Sequence, residues 1–225
     1  KQLLKEKGIS VVAHIKSIKN IEDRDIEEKD ITEENIEKLR NMVLPVFEEK
    51  KISEMEELIL KAREDGDSIG GVIEVMATGV PAGIGDPFFE SMESELSRMI
   101  FSVPATKGIE FGAGFDIARM TGYEANDEMY YDADGKVKSY TNNNGGITGG
   151  ITNGMPISFK VAIKPPASIE RKQKTVNLET KMNDFLEVRG RHDPVIVPRA
   201  VVVIEAATAI VILDRLMESQ KNRGL

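Results

Sequence analysis

Wound as a helix, residues 200–213 (Ala-Val-Val-Val-Ile-Glu-Ala-Ala-Thr-Ala-Ile-Val-Ile-Leu) are apolar nearly all the way round. A helix of that kind cannot lie on a surface, so the fold must put it in the core. It is not a membrane span: Glu205 interrupts it, and it falls short of the roughly 20 residues a bilayer crossing needs. Pro198 is well placed to open the helix, which can run on through Leu216. At 225 residues, 40% hydrophobic and 30% charged, the chain has the length and composition to build a core around it.

Elsewhere the pattern mixes strands and helices without a regular βαβ repeat, which predicts an α+β fold. Residues 9–18 alternate, with Val11, Ala13 and Ile15 on one face and Val12, His14 and Lys16 on the other, and read as a strand buried on one face. Residues 70–77, rich in β-branched side chains, read as a strand, and residues 157–163, where Ile157, Phe159, Val161 and Ile163 alternate with Ser158, Lys160 and Ala162, read as another half-buried one. Three helices are predicted besides the C-terminal one. Thr32 before Glu33 and Glu34 opens a solvated helix, and Ser53 with Glu56 forms a capping box ahead of Met55, Leu58, Ile59 and Ala62, with Gly66 as the stop. Asp86-Pro87 supplies an N-cap and first turn for an apolar face made by Phe88, Met92, Leu96 and Ile100, beside Phe89 and Met99, ending before Pro104.

The totals exclude several functions. The chain has no cysteine, so it holds no disulfide, thiolate zinc site or cysteine nucleophile, and a reducing, cytoplasmic compartment is the natural reading. The N-terminus carries no secretory signal pattern. A net charge of -8 argues against a nucleic-acid surface, which needs clustered Lys and Arg. No metal-ligand pattern is found. Asp132-Ala133-Asp134-Gly135 hints at a calcium loop, but Tyr130 and Thr141 stand where the first and twelfth ligands belong, and a β-turn is the better reading.

Three segments carry more glycine and charge than packing asks for. Residues 107–115 offer a G-x-G, but Ile117 stands where a dinucleotide fingerprint needs Gly or Ala, so a strand in close backbone contact is favoured. Residues 141–154 (Thr-Asn-Asn-Asn-Gly-Gly-Ile-Thr-Gly-Gly-Ile-Thr-Asn-Gly) are too long and polar for a simple turn. They read either as a loop whose bare backbone receives a phosphate or planar heterocycle, or as an ordered structural loop. Residues 189–194 (Arg-Gly-Arg-His-Asp-Pro) gather forks for an anion with groups that can move protons, or form a surface ion-pair cluster. Lys164, Pro165, Pro166, Ala167 and Ser168 at a strand end are a weaker basic site.

Taken in this order, these segments resemble chorismate synthase. The run Gly-Gly-Ile-x-Gly-Gly-Ile-x-Asn-Gly at 145–154, with Gly-Arg-His-Asp-Pro at 190–194, Pro-Arg-Ala-Val at 198–201 and Glu205-Ala206, is highly specific at this separation, and the match runs through most of the chain. The resemblance implies a single domain over residues 1–225, the C-terminal part of a β-α-β sandwich with helices packed between antiparallel sheets. It implies a lyase: a 1,4-anti elimination of phosphate from 5-enolpyruvylshikimate 3-phosphate, using reduced FMN that is returned unchanged. That flavin can be reduced either by NADPH on the enzyme or by a separate reductase. It further implies flavin contacts at Pro104, Ala105, Gly149, Lys164, Pro165, Pro166, Ala167, Ser168 and Arg191, with Asn common in the family where this chain has Pro104. By the same resemblance, Asp193 is the aspartate of proton movement, with His192 beside it, the substrate is a small phosphorylated molecule, and the assembly is a homotetramer. Motifs of the Gly-Asp-Ser-His-Gly and Arg-Ser-Ser-x-Arg-Glu-Thr-Ala type, which carry acid-base histidines and substrate arginines in the family, have no counterpart here. The chain alone is therefore expected to be inactive, or to survive as a flavin-binding or oligomerisation fragment.

Overall fold

The computed structural model describes residues 1–190 and 192–222. In chain order the elements are α1 (Gln2–Lys5), β1 (Ser10–Ile18), β2 (Ile21–Glu22), α2 (Glu33–Asn41), α3 (Lys50–Glu64), β3 (Gly71–Thr78), α4 (Met92–Ser102), β4 (Thr106–Phe111), α5 (Gly122–Ala125), β5 (Met129–Tyr131), β6 (Val137–Ser139), β7 (Ile147–Thr148), β8 (Ile151–Thr152), β9 (Ile157–Ile163), β10 (Gln173–Asn177), β11 (Met182–Leu186) and α6 (Val197–Asn222). Short 3-10 helices stand at Glu28–Asp30 and Gly114–Arg119. The fold is α+β. Five strands form one antiparallel sheet in the order β2-β1-β3-β9-β4, and β5-β6, β7-β8 and β10-β11 are separate hairpins.

The two-residue period of the strands places Ala13, Val75, Phe159 and Phe111 in one row across the sheet, with Ile15, Ile73 and Val161 beside them. This face meets Met92, Leu96 and Ile100 of α4 and Val201, Ile204, Val211 and Ile212 of α6, and these residues form one continuous apolar cluster. The aromatic rings of Phe111 and Phe159 lie 5.4 Å apart within it. Glu205, the charge that interrupts the apolar run, is buried but paired: Lys1 Nζ lies 2.6 Å from its carboxylate, and Arg40 Nη2 is 3.1 Å away.

Four local expectations are corrected. The strand at residues 9–18 is buried on both faces rather than one, because the segment after β2 folds over the second face and His14 is fully enclosed. The helix after Lys50 starts before Ser53, whose hydroxyl donates to the Lys50 carbonyl from inside the first turn, so Ser53 is not its cap. Asp86-Pro87 does not open α4. Phe88 takes a left-handed φ of 78° and is exposed with Phe89, while Ser91 Oγ accepts from Ser94 N and the Gly150 carbonyl accepts from Met92 N. The helix therefore starts where its free amides find partners. Finally, α6 is core on one side only. Val202, Val203, Ile210 and Met217 are exposed, because the sheet covers a single face and no described residue covers the other.

Other readings match the structure. Thr32 caps α2, Gly66 takes a φ of 62° just past α3, and Asp132 forms a turn by accepting from Asp134 N and Lys136 N. Among the described residues no helix is long and apolar enough to cross a membrane.

Candidate functional site

One end of the sheet gathers most of the residues singled out from sequence. Here β4 begins, β9 ends and β3 begins, since Thr106 pairs with Ile163 and Gly71 pairs with Ile163. Pro104 and Ala105 make the turn between α4 and β4. Ala105 holds a φ of 72°, unusual for a residue with a side chain, and its carbonyl accepts from Lys164 N at 2.9 Å. That bond ties the Pro104-Ala105 turn to the start of the Lys164–Ser168 segment. Lys164, Pro165, Ala167 and Ser168 are exposed and Pro166 is half-buried, its carbonyl accepting from the Ser68 hydroxyl.

The 192–194 segment reaches the same end. Ile69 N donates to the Pro194 carbonyl at 2.8 Å, and Ser168, Glu170, Gly190, His192 and Pro194 line one groove with Gly66 and Asp67. His192 Nε2 lies 3.1 Å from the Val188 carbonyl, so its ring braces the loop. The Asp193 carboxylate is exposed and accepts from Arg199 Nη2 at the start of α6. Arg191 lies outside the described residues. Among those described, no group of His, Asp or Glu is arranged to hold a metal ion.

Gly149 is elsewhere. It stands at the tip of the β7-β8 hairpin, which docks on the N-terminal end of α4 through the Met92–Gly150 bond, whereas Pro104 and Ala105 follow the other end of that helix. With about 1.5 Å of rise per residue over eleven residues, the two places lie about 16 Å apart along α4. Within the glycine-rich loop, three glycines are accounted for by packing. A Cβ would meet Gly112 N at 2.5 Å from Gly145, the Pro156 carbonyl at 2.4 Å from Gly146, and the Asp86 carbonyl at 2.6 Å from Gly150. At Gly149 a Cβ would meet nothing within 4 Å. The loop is thus built as an ordered structure, with one bare glycine facing open space.

Two organising features escaped the sequence reading. The first is a charged row across the second sheet face, where His14, Glu74, Lys160 and Glu110 stand in register on four adjacent strands. His14 Nδ1 lies 3.0 Å from Asp23 Oδ2 and Nε2 lies 2.9 Å from Glu74 Oε2, all three side chains being buried. Asp23 also accepts from Phe47 N and Glu48 N, and Glu74 from Ile26 N. Burial works against a charged imidazole, but the two carboxylates outweigh it and raise the His14 pKa above its usual 6.5. Burial likewise opposes charge on Asp23, and His14 with the two amides outweighs it, lowering that pKa below 3.8. Strand alternation could have placed Glu74 and Lys160 on His14's face; Asp23, which comes from a loop, left no such trace. The second feature is Asp127, which binds the glycine-rich loop.

These features define an antiparallel α+β protein with a strand-end cluster around Lys164 and His192 and an ordered glycine-rich loop. The family model for chorismate synthase matches residues 1–217, and the chain belongs to the chorismate synthase family. The chorismate synthase of Methanocaldococcus jannaschii is 53% identical over 165 residues, covering 73% of this chain and 44% of that protein. That of Methanobrevibacter smithii is 45% identical over 219 residues, 97% of this chain and 59% of its own length. A solved crystal structure of chorismate synthase superposes with a TM-score of 0.79 at 32% identity, over 97% of this chain and 60% of the other. The chain thus spans about half the length of the relatives it matches.

Proposed function

We propose that this chain is the C-terminal, flavin-holding part of a chorismate synthase, a carbon-oxygen lyase that converts 5-enolpyruvylshikimate 3-phosphate to chorismate with reduced FMN. Balanced, the reaction breaks one C–O bond to phosphate and one ring C–H bond, forms one C=C bond, and releases phosphate and a proton with no net oxidation. The observation that carries the reading is the meeting of Pro104, Ala105, Lys164–Ser168 and His192–Pro194 at one sheet end, from three distant stretches of sequence.

The donor set fits a flavin mononucleotide. Lys164 offers a compact cation for phosphate, Ser168 a hydroxyl, and the Pro104-Ala105 turn a bared backbone against which a planar ring can lie. Gly149 is a second, separate contact point, its open turn suiting one end of an elongated mononucleotide. Arg191 is assigned to anion binding. Asp193, oriented by Arg199, is assigned to holding and passing a proton, and His192 to bracing that loop. When bound, reduced FMN supplies transient electron density for C–O cleavage, while the protein orients substrate and excludes water. The exposed apolar faces of α6 and of the β10-β11 hairpin support contacts beyond this chain, in keeping with a homotetramer. The absence of cysteine supports a cytoplasmic location.

Titration of FMN fluorescence tests the reading. The chain is expected to quench flavin saturably, and Lys164→Ala to weaken binding about tenfold, ~1.4 kcal/mol. Quenching that is indifferent to Lys164 and Asp193 would move the site elsewhere. No quenching by the unsubstituted chain would favour a purely structural or oligomerisation role for this half of the protein. Turnover is measured anaerobically in a full-length protein carrying this sequence.

A further inference from the structure

We infer that Asp127 is the positioning residue of the glycine-rich loop, holding residues 141–146 so that the Thr148-Gly149 turn is formed before any ligand arrives. Both carboxylate oxygens are used. Oδ1 accepts from Thr141 Oγ1 at 2.7 Å and from Asn143 N at 2.7 Å; Oδ2 accepts from Asn144 N at 3.0 Å and from Asn144 Nδ2 at 2.8 Å. A single side chain from the segment before β5 therefore binds three residues, Thr141, Asn143 and Asn144, of a loop that has no strand partner at those residues.

The loop cannot hold that shape through its own backbone alone. Gly145 and Gly146 both take left-handed φ values, of 61° and 79°, and glycine loses more conformational entropy on ordering than any other residue. Asn142 adds two bonds, accepting from Gly146 N and donating to the Pro156 carbonyl, but it is itself part of the loop. From outside the loop, Ser139 Oγ, Ala113 N and Ser158 N each donate one bond to a loop carbonyl, whereas Asp127 accepts four bonds from it. Asp127 also lines one small groove with Asn144, Thr148 and Asn153, and Asn153 Nδ2 donates to Thr148 Oγ1 at 3.1 Å. Burial of Asp127 opposes its charge, but the bonds from Asn144, Thr141 and Asn143 outweigh it and lower its pKa below 3.8, so four donors face an anion throughout the neutral range.

Asp127 touches none of the residues at the strand-end cluster, and its role is exerted through the loop. This inference rests on the proposed flavin reading, because a pre-formed turn matters only if a ligand meets Gly149.

The test uses the full chain as the parent, with Asp127→Asn, which turns one acceptor oxygen into a donor, and Asp127→Ala as the second variant. FMN affinity, the thermal midpoint and amide exchange at Asn143 and Asn144 are measured together. The expected result is a loss of about tenfold in affinity in both variants and faster exchange at those two amides, with amides of β3 and β9 still protected. Unchanged affinity and exchange in either folded variant overturns the assignment while leaving the flavin reading standing. Loss of protection throughout the sheet overturns it too, by making Asp127 a residue of global stability. Failure of the unsubstituted chain to bind FMN removes the flavin reading itself, and the positioning role with it.

Discussion

Replacing Glu74 by Ala is expected to lower the unfolding free energy by about 3–5 kcal/mol, the cost of breaking a buried ion pair by removing one partner. Glu74 is 3% exposed and His14 and Asp23 are no more accessible, so water cannot replace the lost acceptor. His14 would be left with a charged nitrogen facing a void, or would give up its proton and with it the full strength of the Asp23 contact. Ile26 N loses its acceptor at the same time, which frees the segment that covers the second sheet face. For a chain of this length the change amounts to a fall of about 6–20 °C in the thermal midpoint. A urea-unfolding loss below about 1 kcal/mol would sink the idea that this row is a buried charged network.

The same network sets a pH dependence whose sign follows from the two shifts. His14 has a raised pKa, so its contribution is fully present below 6.5 and is lost as pH rises through its folded-state value. Asp23 has a lowered pKa, so its contribution is present above 3.8 and is lost as pH falls through its own folded value. Stability from this cluster is greatest between those limits, and His14→Leu should flatten the alkaline side of a stability profile and weaken the acid side, where only the Phe47 and Glu48 amides would still favour the Asp23 carboxylate.

Why the sequence disclosed some of this and concealed the rest can be argued from single residues. The periods that make Ile157, Phe159, Val161 and Ile163 one face of β9 are local, and the strand bounds follow from them. The end of α4 is legible too, since Pro104 cannot continue it. Its beginning is not, because Asp86-Pro87 is a sound local start that lost to a tertiary contact, the Gly150 carbonyl meeting Met92 N. The same limit hid Asp23 and Asp127: each is one acidic residue among several in a polar stretch, and only the folded chain brings their partners to them. In the candidate site, the family resemblance supplied residue names and the fold supplied their grouping. Seen together, the names do not form one pocket, for Gly149 stands at the far end of α4 from Ala105.

That separation makes two neighbouring glycines into a test. Gly150→Ala is expected to cost about 3 kcal/mol or more: a left-handed φ of 87° costs roughly 1–2 kcal/mol for a residue with a Cβ, and overpacking adds roughly 1–3. The overpacking is unavoidable, because the new atom would sit 2.6 Å from the Asp86 carbonyl and 2.7 Å from Ser91 Cβ, next to the cap of α4. Relief would require moving the hairpin off the helix and losing the Met92–Gly150 bond. Gly149→Ala has the φ cost alone, since its Cβ would meet nothing, and Gly149→Asn should be close to neutral because Asn tolerates the left-handed region. Thermal melts of the three variants should therefore rank Gly150→Ala far below the other two. If Gly149→Asn then melts like the parent yet binds FMN several-fold more weakly, the missing side chain at 149 serves an approaching ligand. If it binds as the parent does, the glycine serves the turn, and the flavin contacts are confined to the strand-end cluster around Lys164.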